Sequence, residues 1–415
     1  MANVADAAAE GAKARGMPPG ALATLILCFC ATFIEGVDLQ SMGIAAPKLG
    51  PEFHLAPAML GNVMAGSPLG LFFGAFIGGR LADAFGRKTA LILSILVFGI
   101  FQLTTVWAPG YAALLGIRFA CGLGLGGALP NLIALTSEAL GGRNSILNVV
   151  ITMAGMPTGG TLASLIAYWG GEHGDWRTVF YVGGIAPLVL APIMAFALPE
   201  STMFRAAKAK AAQAGRRANT FEVLFGDGRA MATILLWIGM FGTTLVTYLL
   251  LNWLPKLLVN GGLSKTDASF VQIFFNVGSA IGSILMGWLM QRRPSRLILF
   301  ICYAGIAVFL YGLVLTGRSV TLASWDAAII GAFLLGAQYI LYGLTPLFYR
   351  TENRGTGSGA SVAAGRLGST TAPVLGGMLV TAGASFGVVM ESLLPVTVVS
   401  AAAAMVLMFC KRNAE

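Results

Sequence analysis

The chain has 415 residues, of which 57% are hydrophobic and only 10% are charged, and its formal net charge is +9. A water-soluble domain carries about 25% charged residues, so this composition excludes an ordinary soluble protein. The basic residues are spread between apolar runs instead of forming one patch, which argues against nucleic acid as a partner. Five cysteines in apolar stretches and two histidines form no metal-site or disulfide pattern, so we expect no metal ion.

Apolar runs broken by charged residues, glycine or proline divide the chain into segments, and a membrane helix needs about 20 mostly apolar residues. Twelve such segments follow in chain order: 20–46, 58–82, 89–108, 111–138, 144–169, 176–198, 230–259, 266–290, 295–316, 322–349, 356–383 and 387–410. The first one resembles a secretory signal, but acidic residues follow its apolar run directly, which predicts an uncleaved helix. The sequence therefore predicts an all-α membrane protein. Its expected parts are a cytoplasmic tail (1–19), a six-helix bundle (20–198), a cytoplasmic linker (199–229), a second six-helix bundle (230–410) and a cytoplasmic tail (411–415).

The distribution of Lys and Arg predicts the orientation. With both termini in the cytoplasm, nineteen basic residues fall inside and five outside, while Arg118 and Arg366 lie within segments. Cytoplasmic loops are the ones that carry such an excess. We expect a monomeric multi-pass protein of the cytoplasmic (inner) membrane, surrounded by lipid. The basic linker is interpreted as a solvated connector, with a lipid- or partner-binding element as the alternative.

The two predicted bundles resemble each other. The sequence A-P-K-L at 46–49 recurs as L-P-K-L at 254–257, and the same offset of 208 places 79–81 over 287–289. Duplicated six-helix halves are typical of transporters whose halves rock about a central site.

A glycine- and charge-rich loop connects the second and third segments. It reads G-R-L-A-D-A-F-G-R-K at 79–88 and resembles the loop signature of the major facilitator superfamily, G-x-L-x-D-x-x-G-R-[RK]. Glycine permits a tight turn there, and an aspartate can pair with arginines or a helix N-terminus. The resemblance implies the fold of that superfamily and a role in conformational gating for Gly79, Asp83, Gly86, Arg87, Lys88, Glu138, Arg143 and Arg354.

Four charged residues fall well inside the segments: Glu35, Asp38, Arg118 and Arg366. Each costs about 3 kcal/mol at a helix centre, so we expect them to face a cavity and to find partners. At about 1.5 Å per residue, Asp38 and Arg118 lie at similar depths and can meet, while Arg366 lies near the midplane. We predict proton coupling by Asp38, Glu35 and Arg118, and binding of a substrate carboxylate by Arg366. The alternatives are a permanent structural ion pair, a merely hydrated Glu35 and an arginine that only packs between helices.

Uncharged polar residues recur one helical turn apart in the second bundle. We predict that some of them line the same cavity and bind the substrate, although each is also compatible with a simple helix–helix contact. They are Gln272, Asn276, Gln338, Tyr342, Tyr248 and Asn252.

Further motifs resemble one branch of the superfamily, the aromatic acid/proton symporters. They are the acid-Gly-x-Asp sequence at 35–38, Arg118, Ser137-Glu138, R-x-x-G-x-G at 354–359 and G-R-x-G at 365–368. This resemblance implies import of a small aromatic acid with protons, driven by the proton gradient without a cofactor. It also implies that the acids of the first helix, Asp83, Arg118, Arg354 and Arg366 take part in transport.

Within that branch, the stretches 128–139, 252–259 and 346–349 look most like transporters of 3-(3-hydroxyphenyl)propionate. Glu35 and Val37 depart from the commoner aspartate and aromatic residue of the motif. Alternatives are transport of another organic acid or xenobiotic/proton antiport, for which A-G-M-P-T-G-G at 154–160 is only a partial match to the expected motif. A membrane enzyme is not expected, since no nucleophile or metal constellation is recognisable in the sequence.

Overall fold

The computed structural model describes residues 21–140, 152–198, 220–226, 228–290, 292–316, 319–349 and 354–410. This part of the chain forms helices and contains no strand. The helices are α1 (Ala21–Glu52), α2 (Pro57–Phe85), α3 (Arg87–Thr104), α4 (Tyr111–Leu140), α5 (Gly155–Gly170), α6 (Arg177–Ala197), α7 (Thr220–Phe225), α8 (Ala230–Asn260), α9 (Lys265–Met290), α10 (Ser295–Leu315), α11 (Val320–Leu344), α12 (Arg354–Thr381) and α13 (Phe386–Leu407). Short 3-10 turns follow α3 and α11, at Thr105–Trp107 and Thr345–Phe348.

Every helix except α7 coincides with one of the twelve predicted segments, within the described ranges. Ten of these helices are long and apolar enough to cross a membrane. The other two are α5, with 16 described residues, and α12, which is rich in glycine, serine and threonine. The first part of the fifth predicted segment, 144–151, lies outside the described residues.

The end of the linker is more ordered than a solvated connector. The short helix α7 packs on the second bundle: the Thr233 hydroxyl donates to the Leu224 carbonyl at 2.6 Å, and the Phe225 and Trp237 rings are 5.8 Å apart. Residues 199–219 lie outside the described part of the chain.

Helix packing repeats between the two halves. In the N-terminal half α1 packs on α5 and α6, α2 on α4, and α3 on α4 and α6. In the C-terminal half α8 packs on α12 and α13, α9 on α11, and α10 on α11 and α13. Each of these packed pairs in the N-terminal half therefore has a counterpart in the C-terminal half whose helix numbers are higher by seven, so that α2–α4, for example, corresponds to α9–α11. This is the arrangement expected of a duplicated bundle.

Glycines allow the backbones of α2 and α4 to approach closely. A Cβ atom at Gly122 would overlap the Ser67 carbonyl, and one at Gly70 would overlap the carbonyl of Phe119. The backbones can approach this closely only without side chains at these positions, as is common where helices associate in lipid. The run Gly122–Gly127 is thus a packing surface.

Among the described residues, the most extensive contacts between the halves are those of α1 with α8, α2 with α12, and α5 with α9. A Cβ at Gly43 would lie 2.8 Å from the Asn252 backbone, and one at Gly61 would lie 2.5 Å from the Pro373 carbonyl. These approaches lie toward the end of the bundle that holds Glu52 and the α5–α6 and α8–α9 connections, here called the Glu52 end. The opposite end, with the α2–α3 turn, is called the Gly86 end.

Polar contacts also tie the connections together at the Glu52 end. The Lys48 ammonium donates to the carbonyls of Gly171 and Gly174, both at 2.7 Å. The Lys265 backbone N–H donates to the Glu172 carboxylate at 2.8 Å, which links the two halves.

Large apolar side chains remain exposed around the outer faces of the helices. Examples are Phe76, Val308 and Trp325, each about 60% exposed or more. Such a surface is unstable in water and suits the hydrocarbon of a bilayer.

Candidate functional site

A buried ion pair lies inside the N-terminal half. The Arg118 Nη2 atom of α4 is 2.7 Å from Asp38 Oδ1 of α1, and the two side chains are 2% and 0% exposed. Two neutral groups support the pair: Gln102 of α3 accepts from Arg118 Nη1 at 2.5 Å, and Ser67 of α2 donates to Asp38 Oδ2 at 3.3 Å. Arg118 Nε has no hydrogen-bond partner among the described residues. A buried pair needs such additional hydrogen bonds to offset its desolvation cost.

This geometry brings together the two residues that the sequence placed at one depth. They lie between four helices of one half, however, and not in a cavity between the halves. Sequence reasoning missed Gln102 and Ser67. Cys121 lies beside the pair, with its Sγ atom 3.7 Å from Asp38 Oδ1.

Glu35 lies one turn from Asp38 on the same face of α1, toward the Gly86 end. Its side chain is buried, at 1% exposure, and neither carboxylate oxygen has a hydrogen-bond partner among the described residues. It lines a small cavity of about 10 Å³ with apolar neighbours that include Ile95, Phe98 and Leu125. That volume is enough for one water molecule at most. An ionised carboxylate in such surroundings is costly unless another charge balances it.

Arg366 lies at the centre of a polar group in the C-terminal half, here called the Arg366 cluster (Arg366, Tyr248, Gln338, Tyr339 and Tyr342). Arg366 Nη1 donates to the Tyr248 hydroxyl at 3.1 Å, and Tyr342 is close enough for electrostatic interaction with it. The Tyr339 and Tyr342 rings are stacked with centroids 6.4 Å apart. The half-buried guanidinium has five N–H donors, of which one is engaged among the described residues, so donors remain for a ligand.

Glu35 and Arg366 connect the two halves electrostatically. They belong to α1 and α12, yet the charge of Arg366 acts on Glu35. The acid of the N-terminal half therefore interacts electrostatically with the cation that the sequence assigned to the substrate, although no hydrogen bond joins the two side chains among the described residues.

A cluster of amides joins the halves nearer the Glu52 end. Gln40 of α1 and Asn276 of α9 exchange two hydrogen bonds, and Gln272 donates to Gln40 at 3.3 Å. Asn276 also donates to Ser164 of α5 at 3.2 Å, and a Cβ atom at Gly160 would overlap the Gln40 amide. Gln272 and Asn276, predicted to bind substrate, are fully covered in this state and bonded to Gln40, a residue that sequence reasoning did not select.

The remaining predicted cavity residue, Asn252, donates to the Tyr248 carbonyl of its own helix at 2.8 Å. It packs where α8 meets Gly43 of α1, so in this state it is also part of the contact between the halves.

The predicted gating loop is a one-residue turn. Gly86 alone separates α2 from α3, with φ of 97°, a conformation that favours glycine. Gly79 has open space around it, whereas the neighbouring Gly78 makes the close approach to Gly127. Arg87 and Lys88 begin α3. The side chains of Asp83, Glu138 and Arg354, and the whole of Arg143, lie outside the described part of the structure.

Metal ligands do not converge in the described ranges: no three His, Cys, Asp or Glu side chains come together there.

Comparison with known proteins gives a consistent result. The family model described as Major Facilitator Superfamily matches residues 28–373. The chain is 40% identical to the 3-(3-hydroxy-phenyl)propionate transporter of Escherichia coli (strain K12), covering 93% of each protein. It is 32% identical to the 4-hydroxybenzoate transporter PcaK of Pseudomonas aeruginosa, covering 94% of this chain and 93% of the relative. Among solved structures, a D-xylose-proton symporter superimposes with a TM-score of 0.75 at 18% identity, covering 92% of this chain and 96% of the symporter.

Proposed function

The chain belongs to the Major Facilitator Superfamily, and on this premise we propose that it imports a small aromatic carboxylate together with protons. It uses no cofactor and takes its energy from the proton gradient. Its two halves alternate between states that open to opposite sides of the membrane.

The Arg366 cluster is the observation that carries the proposal. A guanidinium binds a carboxylate through two parallel hydrogen bonds, and Arg366 has donors left for this purpose. Tyr248, Tyr339 and Tyr342 supply apolar ring faces with polar tips, which suit an aromatic ring that carries polar groups. The two relatives reported above are named for acids of this kind.

Proton coupling is assigned to Glu35, Asp38 and Arg118. Uptake of a proton by either acid removes a charge that the surrounding helices must otherwise balance, and so changes which arrangement of helices is favoured. Asp38 is bonded to Arg118, whereas Glu35 has no hydrogen-bond partner in the described part of the chain. In this state, protonation of Glu35 therefore breaks fewer contacts than protonation of Asp38.

Orientation follows from the charges at the two ends of the bundle. We place the Gly86 end, with Arg80, Arg87, Lys88, Arg292 and Arg293, in the cytoplasm, together with both termini. The Glu52 end then faces outward. Because the halves meet at the Glu52 end through the Gln40–Asn276 amides and the close helix approaches, the state described is closed to the outside. The protein acts as a monomer in the inner membrane.

Uptake measurements test the proposal. Cells expressing the protein are offered radiolabelled 3-(3-hydroxyphenyl)propionate, 4-hydroxybenzoate and a sugar acid, with and without a protonophore. We expect accumulation of one of the aromatic acids, little uptake of the sugar acid and loss of accumulation with the protonophore. Absence of aromatic acid uptake, or uptake indifferent to the protonophore, contradicts the proposal.

Arg366→Lys tests the binding site itself. The variant keeps the charge but loses the planar pair of donors, so apparent affinity for the acid should fall about tenfold, since a hydrogen bond to a charged group is worth about 1.5–3 kcal/mol. Arg293→Lys, at an exposed arginine of the α9–α10 connection, is the matched control and should behave as the parent. Unchanged affinity in Arg366→Lys removes this residue from the site.

A further inference from the structure

Two residues of the Arg366 cluster have hydrogen-bonding capacity that the described protein does not use. Gln338 and Tyr342 lie one turn apart on α11, and Gln338 Nε2 donates to the Tyr342 hydroxyl at 3.1 Å. Gln338 is only 9% exposed, yet its Oε1 atom has no partner among the described residues. The Tyr342 hydroxyl accepts this hydrogen bond and donates none to the described residues.

The unused acceptor is buried, and the unused donor beside it belongs to a half-buried tyrosine. A buried amide oxygen without a partner costs about 1–3 kcal/mol, so such groups are normally satisfied. The Gln338 side-chain amide has one donor group and one acceptor atom. If its nitrogen and oxygen were exchanged, Tyr342 would donate to the oxygen and the nitrogen would be the atom without a partner, so one polar atom stays unused in either orientation. The pair therefore needs a ligand group that can donate and accept at one point.

A hydroxyl group on an aromatic ring meets this need. Its proton can be donated to the Gln338 amide oxygen, and its oxygen can accept from Tyr342. An alkyl or unsubstituted ring edge at the same place would leave both groups unsatisfied. The Gln338 oxygen is covered in the described state, so the amide must rotate about its terminal bond to reach the ligand.

The position of the pair agrees with this chemistry. Arg366, which holds the carboxylate under the proposed function, interacts electrostatically with Tyr342, and the Tyr339 ring is stacked on that of Tyr342. A ligand whose carboxylate is bound by Arg366 can therefore place its ring beside the α11 tyrosines.

We propose, on the basis of the proposed function, that Gln338 and Tyr342 select ring-hydroxylated aromatic carboxylates over the same acids without the hydroxyl. Each net hydrogen bond is worth about a two- to tenfold change in affinity. The hydroxylated acid should accordingly be preferred by about tenfold.

Paired substrates test the assignment. Apparent affinities for 3-(3-hydroxyphenyl)propionate and 3-phenylpropionate are measured in the parent, in Gln338→Met and in Tyr342→Phe. Methionine keeps the length of the side chain and phenylalanine keeps the ring, while each loses its hydrogen bonds. We expect the preference for the hydroxylated acid to fall about threefold in each variant, since two hydrogen bonds share the tenfold preference, with the affinity for 3-phenylpropionate unchanged.

Tyr311→Phe is the matched control, because it removes a phenolic hydroxyl from a tyrosine that is 50% exposed on α10, away from the Arg366 cluster; it should leave the ratio of the two affinities as in the parent. If the ratio of the two affinities is the same as in the parent in both Gln338→Met and Tyr342→Phe, including the case in which both affinities fall equally, the assignment is overturned. A parent protein that takes up both acids without preference also overturns it. If the parent takes up neither phenylpropionate, the same ratio is measured with 4-hydroxybenzoate and benzoate. Uptake of none of the four acids overturns the proposed function itself, so the two failures are distinguishable.

Discussion

The two halves of the bundle share one packing arrangement but bury different chemistry. In the N-terminal half, α1 and α4 enclose the Asp38–Arg118 ion pair, with Glu35 one turn away. In the C-terminal half, α8 and α10 enclose a neutral pair, the hydroxyls of Thr243 and Tyr303 at 2.7 Å. Duplication thus fixes where the helices pack, while the polar groups that each half encloses can differ.

This difference in buried groups indicates that the two halves have different functions. A buried charge can be removed by a proton, and its loss changes which helix contacts are stable; a pair of neutral hydroxyls offers no such response. All five residues of the Arg366 cluster belong to α8, α11 and α12 of the C-terminal half. We infer that the N-terminal half responds to protons and the C-terminal half recognises the acid, with the Glu35–Arg366 interaction between them.

The largest effect is expected from Asp38→Asn. The change leaves the buried Arg118 without its counter-charge, which typically costs about 3–5 kcal/mol of stability. We expect a clear loss of thermal stability in detergent and no accumulation of the acid in uptake assays. The double variant Asp38→Asn, Arg118→Gln should regain stability but not proton-driven accumulation. Normal accumulation in Asp38→Asn would end the proposed division between the halves.

Glu35→Gln should separate coupling from stability. Because the Glu35 carboxylate has no hydrogen-bond partner among the described residues, the amide should alter the free energy of unfolding by less than about 1 kcal/mol. Accumulation driven by the proton gradient should fall about tenfold, within the usual range for coupling between two sites. Exchange of labelled for unlabelled acid across the membrane should continue. Parallel loss of exchange and accumulation would assign Glu35 a structural role instead.

Gln40→Leu tests the contact between the halves. It removes the hydrogen bonds to Asn276 and Gln272, each worth about 1 kcal/mol, and should shift the population toward the outward-open state by about fivefold or more. An impermeant thiol reagent should then react faster with Leu251→Cys, a position 8% exposed on α8 beside the contact with Gly43. Thr247→Val, which removes a hydroxyl bonded within its own helix, is the control. Equal rates of Leu251→Cys labelling in the parent, Gln40→Leu and Thr247→Val proteins would show that the amides do not hold the halves together.

Thr243→Val should have the smallest effect. It removes one neutral hydrogen bond to Tyr303 and should lower the free energy of unfolding by about 1 kcal/mol. Accumulation and its sensitivity to a protonophore should stay as in the parent. Loss of proton-driven accumulation in this variant would place coupling in both halves and contradict the contrast with Asp38.

Sequence reasoning placed the charged residues more successfully than the neutral ones. Asp38 and Arg118 could be matched in depth because each is a rare charge at a known distance from a helix end. Gln102, Ser67 and Gln40 could not be identified in this way, because polar neutral residues are common in helices and only the rotation of neighbouring helices decides which of them meet. Gln272 and Asn276 illustrate the same limit, since their spacing is equally compatible with a cavity and with the amide contact that covers them here.

The sequence by itself determined that the chain crosses a membrane many times, where each described span lies and which family it resembles. These properties depend on composition and order along the chain, because apolar length and charge spacing decide which segments enter lipid. Only the tertiary structure decided that the ion pair is enclosed within one half, that Glu35 of one half is near Arg366 of the other and that Gln40 joins α1 to α9. Such relations depend on the rotation and tilt of helices far apart in the chain, which close glycine contacts and side-chain packing fix and which spacing alone leaves open.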